Sequence, residues 1–269
     1  MRRNSDHAGF SLIEMIVVIA ITAIVGSMAA LFLRVPLDSY VAQDRRARLT
    51  DTADTALRRM ARDIRLALPN SVRVASAGSV VYLEFLATRS GGRYRAQGDG
   101  SAGNDHLDFT DTAGDSSFDI LGPAIAMQAG DSIAVYNLGI PGADAWAGET
   151  LAAYTGAAGS VTNIAIAAKQ FPLASPGNRF QVVEGPVSYV CDPGAGTLTR
   201  YWGYAPAAVQ PTAFVAATQA LLATRVSACS FEYQPGVTER GGLVGMTLNL
   251  SLSGETVRLY VATQVSNQP

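Results

Sequence analysis

The chain has 269 residues, 48% of them hydrophobic and only 16% charged, with a formal net charge of -2. That much apolar side chain excludes a disordered polypeptide and is enough for one large folded domain, or two small ones, beside any membrane segment. Charge is unevenly spread: residues 1–9 carry +1, 10–33 carry -1, 34–68 carry +3 and 69–269 carry -5. In the basic segment, the arginines at 45, 46, 48, 58, 59, 62 and 65 alternate with Asp44, Asp51, Asp54 and Asp63 without an interleaved aromatic, a solvated helix face and not a nucleic-acid surface.

The first element is the apolar run MIVVIAITAIVGSMAALFL, residues 15–33, softened only by Thr22, Gly26 and Ser27. Nineteen residues at ~1.5 Å each reach roughly 28 Å, enough to cross a hydrocarbon core. A cleaved secretory signal is the alternative, since Ser27-Met28-Ala29 offers small residues for a signal peptidase. The run is longer than a usual signal core, and helical patterning continues past it. Glu14 stands at its start, where a carboxylate within a span costs on the order of 2.5 to 3.5 kcal/mol unless it reaches the headgroups or finds a partner.

Gly9-Phe10-Ser11-Leu12-Ile13-Glu14 resembles the processing site of type IV prepilins and type II secretion pseudopilins: a short polar leader ending in Gly, an apolar residue, then Glu at mature position five. The resemblance implies that prepilin peptidase cuts between Gly9 and Phe10 and that Phe10 is N-methylated. It further implies that Glu14 of an incoming subunit pairs with the freed Phe10 amine of a neighbour in a water-poor helix bundle. There an unpaired charge is costly and a buried pair sets register. It also places the N-terminus in the cytoplasm. Charge counting alone does not, because Arg2 and Arg3 precede the span whereas Arg34, Arg45, Arg46 and Arg48 follow it.

Beyond the span, Leu57, Met60, Ala61, Ile64 and Leu68 recur on one helical face. The pattern predicts one helix from about residue 10 to Leu68, stopped by Pro69-Asn70, with a kink or local unwinding at Pro36. The domain plan is therefore a leader (1–9), a membrane and assembly helix (10–33), an amphipathic continuation (34–68) and an exported β-rich domain (69–269).

From residue 71 the period becomes alternating. Val244, Met246, Leu248, Leu250 and Leu252 alternate with small or polar residues, and Ser253-Gly254-Glu255 turns the chain into Val257, Leu259 and Val261, an antiparallel hairpin. Further strands are predicted at 79–86, 106–110, 131–137, 160–167, 179–191, 197–203 and 229–234. The expected fold is α+β and type IV pilin-like: a long N-terminal helix packed on a mainly antiparallel sheet, with insertions or a second β subdomain at about 90–180. Only Cys191 and Cys229 are present, so one intramolecular pairing is possible in an oxidising compartment; two buried thiols are the alternative.

The resemblance extends past the leader. ALPNSVRV (67–74), GADAW (142–146), PVSYVCDPGAGTLTRYWGY (186–204), VSACSFEY (226–233) and the C-terminal RGGLVGMTLNLSLSGETV are similar to O-type minor pilins of mannose-sensitive haemagglutinin (MSHA) pili. Val81 departs from them, standing near where another cysteine is expected. The likeness implies a minor pilin that primes assembly of the fibre or caps it. Its partners would be other major and minor pilins, prepilin peptidase and the inner-membrane assembly platform. It would be stored in the inner membrane with a periplasmic domain before entering a surface pilus. A J-like pseudopilin of a type II secretion system shares every N-terminal feature, and a tethered periplasmic binding domain that never polymerises is the rival from another class.

Catalytic chemistry is poorly supplied. The two histidines are His7, in the leader, and His106, and no nucleophile elbow, P-loop or paired-His motif accompanies them, so no enzyme activity and no cofactor are expected. The stretch 98–115 offers Asp99, Asn104, Asp105, Asp108, Asp111 and Asp115, hard oxygen ligands without EF-hand spacing, which reads as a solvated loop with calcium as the alternative. Trp146, Trp202 and Tyr204 are core aromatics or, alternatively, an adhesive surface.

Overall fold

The computed structural model describes residues 10–98, 103–236 and 241–269. The leader with Gly9 therefore lies outside the described residues, as does Asp99. The chain divides into two compact units, up to Arg48 and from Leu49 onward. Helix α1 (Leu12–Ile64) supplies all of the described first unit except Phe10 and Ser11, and the opening element of the second.

The helix runs without a break through Pro36 and stops four residues before the predicted Leu68. Hydrogen bonding explains the early end. The Leu66 and Ala67 amides donate to the carbonyls of Asp63 and Ile64, tightening the last turn, after which the Leu68 amide donates to Leu86 O at 2.7 Å. The Thr88 amide donates in turn to Leu66 O at 2.8 Å. Residues 66–68 thus pair with a strand, and Asn70 at φ 60° redirects the chain.

In the second unit, β1 (Arg73–Ala77) and β2 (Val80–Arg93) form the first hairpin. The intervening chain carries β3 (Asp115–Asp119), β4 (Ile125–Met127), β5 (Ser132–Ala134), β6 (Leu151–Ala153), β7 (Gly159–Val161) and β8 (Asn163–Lys169). It returns through β9 (Arg179–Asp192), β10 (Thr197–Trp202) and β11 (Thr218–Thr224). The main sheet has the order β1-β2-β9-β10-β11, all antiparallel, with β5 paired to β9 and β6 paired to β5. A second sheet, in the order given, consists of β12 (Val226–Gln234), β13 (Gly242–Leu252) and β14 (Glu255–Val265).

Ser253 and Gly254, both at positive φ, close the β13–β14 hairpin, as a tight two-residue connection requires. Arg225, also at positive φ, separates β11 from β12 and moves the chain from one sheet to the other.

One core joins these elements. Leu49, Ala53, Leu57, Met60 and Ile64 of α1 pack with Leu83, Phe85, Val187 and Tyr189 of the main sheet and with Val244, Met246, Leu248 and Leu250 of the second. Each large side chain so buried contributes ~1.5 to 3 kcal/mol of transfer free energy, which is what holds this part of the helix against the sheets. Cys191 on β9 is bonded to Cys229 on β12, so the disulfide links the two sheets through this core. Val81 is the register partner of Cys191 on β2.

The segment between β2 and β9 carries a separate core: Tyr94, Phe118, Ile133, Tyr154, Ile164 and Phe180 are among its members. Residues 106–110, expected as a strand, form a loop instead. The Leu107 amide reaches Arg95 O at 2.9 Å, but carboxylates take two others: Asp115 takes that of Asp108 at 2.8 Å and Asp108 that of Thr110 at 2.7 Å. Side-chain acceptors this close compete successfully with a ladder.

Candidate functional site

The N-terminal unit presents the first group of functional residues. Ser11 is the helix cap: the Glu14 amide donates to its hydroxyl at 3.3 Å and to its carbonyl at 3.1 Å, and the Met15 amide donates to the same carbonyl at 3.2 Å. Phe10 therefore precedes the helix, and Glu14 lies in the first turn, where the partial positive charge of the helix end favours a carboxylate. Ser-x-x-Glu at 11–14 is the sequence signature of this cap and shows where the helix begins.

None of Leu12–Ala30 is buried, and the segment is long and apolar enough to cross a membrane. Phe10, Leu12, Ile13, Ile19 and Phe32 are all more than 60% exposed, so this surface has its natural environment in lipid or against other apolar helices. Thr22 and Ser27 do not interrupt it, because their hydroxyls donate back to the carbonyls of Val18 and Ile24 at 2.6 and 2.8 Å.

A second polar group lies within the β-rich unit. Glu84, in the apolar strand β2, is fully buried and accepts from Arg73 Nε at 2.7 Å and from the Tyr204 hydroxyl at 2.8 Å; Ser188 shares a 2.7 Å hydrogen bond with Tyr204. Burial pushes the Glu84 carboxyl up, against the opposing pull of Arg73 and Tyr204. The other nitrogens of Arg73 donate to the carbonyls of Ala208 and Ala207 at 2.7 and 2.9 Å, and its guanidinium sits 3.7 Å over the Trp146 ring. At the neighbouring register position, Asp63 of α1 accepts from Tyr189 at 2.6 Å and from Arg200 at 2.9 Å. Burial and the adjacent carboxylates push the Tyr189 and Tyr204 phenols far up, so both remain protonated donors.

Arg73, Glu84, Asp63 and Arg200 were not singled out from sequence. A lone carboxylate inside VVYLEFL was the available signal, since a strand accepts one there only with a partner. Arg200 also lines a polar cavity of about 530 Å³, with Arg89, Asp131, Glu184, Trp202 and Tyr204 among others. Its charges are mutually satisfied: Arg89 bonds Glu184 at 2.8 Å and Asp131 at 3.3 Å.

The three aromatics named from sequence do not form one surface. Trp146 is buried beneath Arg73 with its indole N–H donating to Ser71 O at 2.9 Å, while Trp202 and Tyr204 are half-buried at the cavity wall. His106 is half-buried in the loop. In the acidic stretch, Asp105 and Asp119 share the Asn163 amide at 3.0 Å each, and Asp105 accepts from Ser117 at 2.6 Å. The Asn163 amide holds Asp119 below the usual carboxylate range, and Thr110 does the same for Asp108. Among the described residues no three His, Cys, Asp or Glu side chains converge as a metal-holding group.

No curated protein and no solved structure matches the chain. Residues 4–30 match the family model described as the prokaryotic N-terminal methylation motif. The matched segment contains Phe10, the Ser11 cap, Glu14 and the exposed apolar helix up to Ala30, and it supports a type IV pilin-like, membrane-anchored protein with an α+β architecture.

Proposed function

We propose that the chain is a minor pilin of an MSHA-like type IV pilus, cut after Gly9 by prepilin peptidase, methylated at Phe10 and added to the fibre from the inner membrane. The single observation that carries this reading is the methylation motif itself, matched at 4–30 and ending in a capped, wholly exposed apolar helix. Cleavage creates an amine at Phe10, next to a cap that leaves this residue outside the helix and the Glu14 carboxylate on its first turn. An incoming subunit then offers Glu14 to the amine of a neighbour in a medium where neither charge is otherwise satisfied. The β-rich domain remains outside the membrane, where its disulfide is stable. The protein turns over no substrate; its work is packing. The Cys191–Cys229 half of the chain and the C-terminal hairpin, which carry the likeness to O-type minor pilins, favour a pilus over a secretion pseudopilus.

The mass of the N-terminal peptide, from protein isolated from its native membrane, tests the reading. A chain beginning at methylated Phe10 is expected. An intact leader, or a start after Ala29, removes the fibre interpretation.

A further inference from the structure

The outer strand of the second sheet ends the fold on an open edge. β14 pairs with β13 over eleven consecutive positions without a bulge, and among the described residues no strand pairs with its other side. Other outer strands of the two large sheets are blunted: β1 and β6 are five and three residues long, β11 is bulged opposite Leu198/Thr199, and β12, on the far side of this sheet, is bulged between Val226 and Ala228. Bulges and short lengths protect edges; β14 has neither, nor a proline.

The core is also incomplete along this edge. On β13 the inward side chains Val244, Met246, Leu248 and Leu250 are fully buried, whereas their same-face neighbours Val257, Leu259 and Val261 on β14 are only half-buried. Beside them lies a groove of about 500 Å³ between α1 and β14, with Ala61, Val261 and Ala262 on its apolar side. Its other wall is cationic: Arg58 and Arg62 project from successive turns of α1 and Arg65 from the turn that follows it, and Arg65 Nε donates to Thr263 Oγ1 at 3.2 Å. Arg58 is held by Asp54 at 2.7 Å, which leaves the wall net positive.

We infer that this edge is a docking site for one extended, carboxylate-bearing strand of another subunit in the same fibre; the identity of the donor rests on the pilin reading above. The backbone of the incoming strand completes the β14 ladder, its apolar side chains cover Val257, Leu259 and Val261, and its carboxylates face Arg62 and Arg65. Charge decides the occupant: a neutral or basic strand gains the ladder but meets an uncompensated arginine wall.

The test uses the full chain extracted in detergent and, as probe, a blocked synthetic decapeptide of alternating valine and aspartate, with its valine–lysine counterpart as control. Hydrogen exchange is read at residues 255–265. The acidic peptide at millimolar concentration is expected to slow exchange there by about tenfold, with no effect of the lysine peptide. Arg62→Glu combined with Arg65→Glu is expected to abolish that slowing while leaving the β-rich unit cooperatively folded, as its thermal transition will show, since both side chains are exposed. Absence of slowing, equal slowing by both peptides, or full slowing in the double variant overturns the inference. The N-terminal mass of the same preparation separates the two conclusions. A processed chain without protection of β14 refutes the edge alone, and an unprocessed chain with protection refutes the fibre as its setting.

Discussion

Tyr189 donates its phenolic hydrogen to Asp63 across 2.6 Å, joining the central strand β9 to the last turn of α1. Arg200 approaches the same carboxylate oxygen from β10, so one side chain of the helix is held by two strands of the sheet. Tyr189→Phe removes a hydrogen bond to a charged acceptor and is expected to destabilise the β-rich unit by about 1.5 to 3 kcal/mol in denaturant unfolding. A loss below ~0.5 kcal/mol places the helix anchoring in packing alone.

The same phenol has a pH signature. Its folded pKa, like that of Tyr204, lies well above the ordinary value, so the stability it contributes is complete below about pH 10 and is lost as pH rises beyond it. Ultraviolet titration of the folded chain is expected to show a late-ionising tyrosine fraction, Tyr189 and Tyr204, that appears only together with alkaline unfolding. Phe variants at 189 and 204 identify the late fraction.

Glu84 gives a test with the sign worked out at the acidic end. Its carboxyl is raised by burial, so its contribution favours folding at pH below the unfolded value of about 4.3 and is lost as pH rises through the folded value. Glu84→Gln is expected to gain stability relative to the parent between pH 4 and neutrality. A difference that stays flat with pH shows that Arg73 fully compensates the burial.

Arg73 is the clamp of the 203–217 loop. Arg73→Met loses the Glu84 pair, both carbonyl bonds and the Trp146 stack, and leaves a buried carboxylate without its counter-charge, a loss of about 3 to 5 kcal/mol. Hydrogen exchange at Ala207–Phe214 is expected to rise before global unfolding; Arg73→Lys does not rescue it, because an ammonium lacks the planar fork.

The disulfide closes a sequence separation of 38 residues between two sheets, for which chain entropy predicts about 4 kcal/mol of stabilisation. Reduction, or Cys229→Ser with Cys191→Ser, is expected to lower the thermal midpoint by that measure without changing N-terminal processing. Glu14→Val is the converse. It leaves the midpoint of the β-rich unit untouched and depletes the subunit from purified fibres, as quantitative labelling of sheared pili will report.

The elements that sequence reading placed well are those with a repeating pattern. The apolar faces of α1 and of the 244–261 hairpin follow from spacing and from one Ser-Gly turn, since burial imposes its period on the residues directly. The helix end was misplaced because Leu68 keeps the helical spacing while its amide is taken by Leu86 across the sheet, a contact between distant positions. Loop 106–110 deceives in the same way, its alternation mimicking a strand while neighbouring carboxylates capture the Asp108 and Thr110 amides. At the N-terminus Phe10 and Glu14 are legible because a short motif carries them; Glu84 shows only as a lone carboxylate in an apolar strand, and Arg73 and Asp63 are invisible because their partners are brought together only by folding.

The two longest strands of the main sheet, β2 and β9, pair as far as Arg93 and Arg179, and everything between those residues leaves and re-enters through this one doorway. Residues 94–178 are nonetheless stitched to the base, since β5 pairs with β9, Trp146 lies beneath Arg73 and Arg89 holds Asp131. A lineage can enlarge, shrink or replace the loops of this segment that make none of these contacts, while the helix, the disulfide and the N-terminal machinery stay as they are.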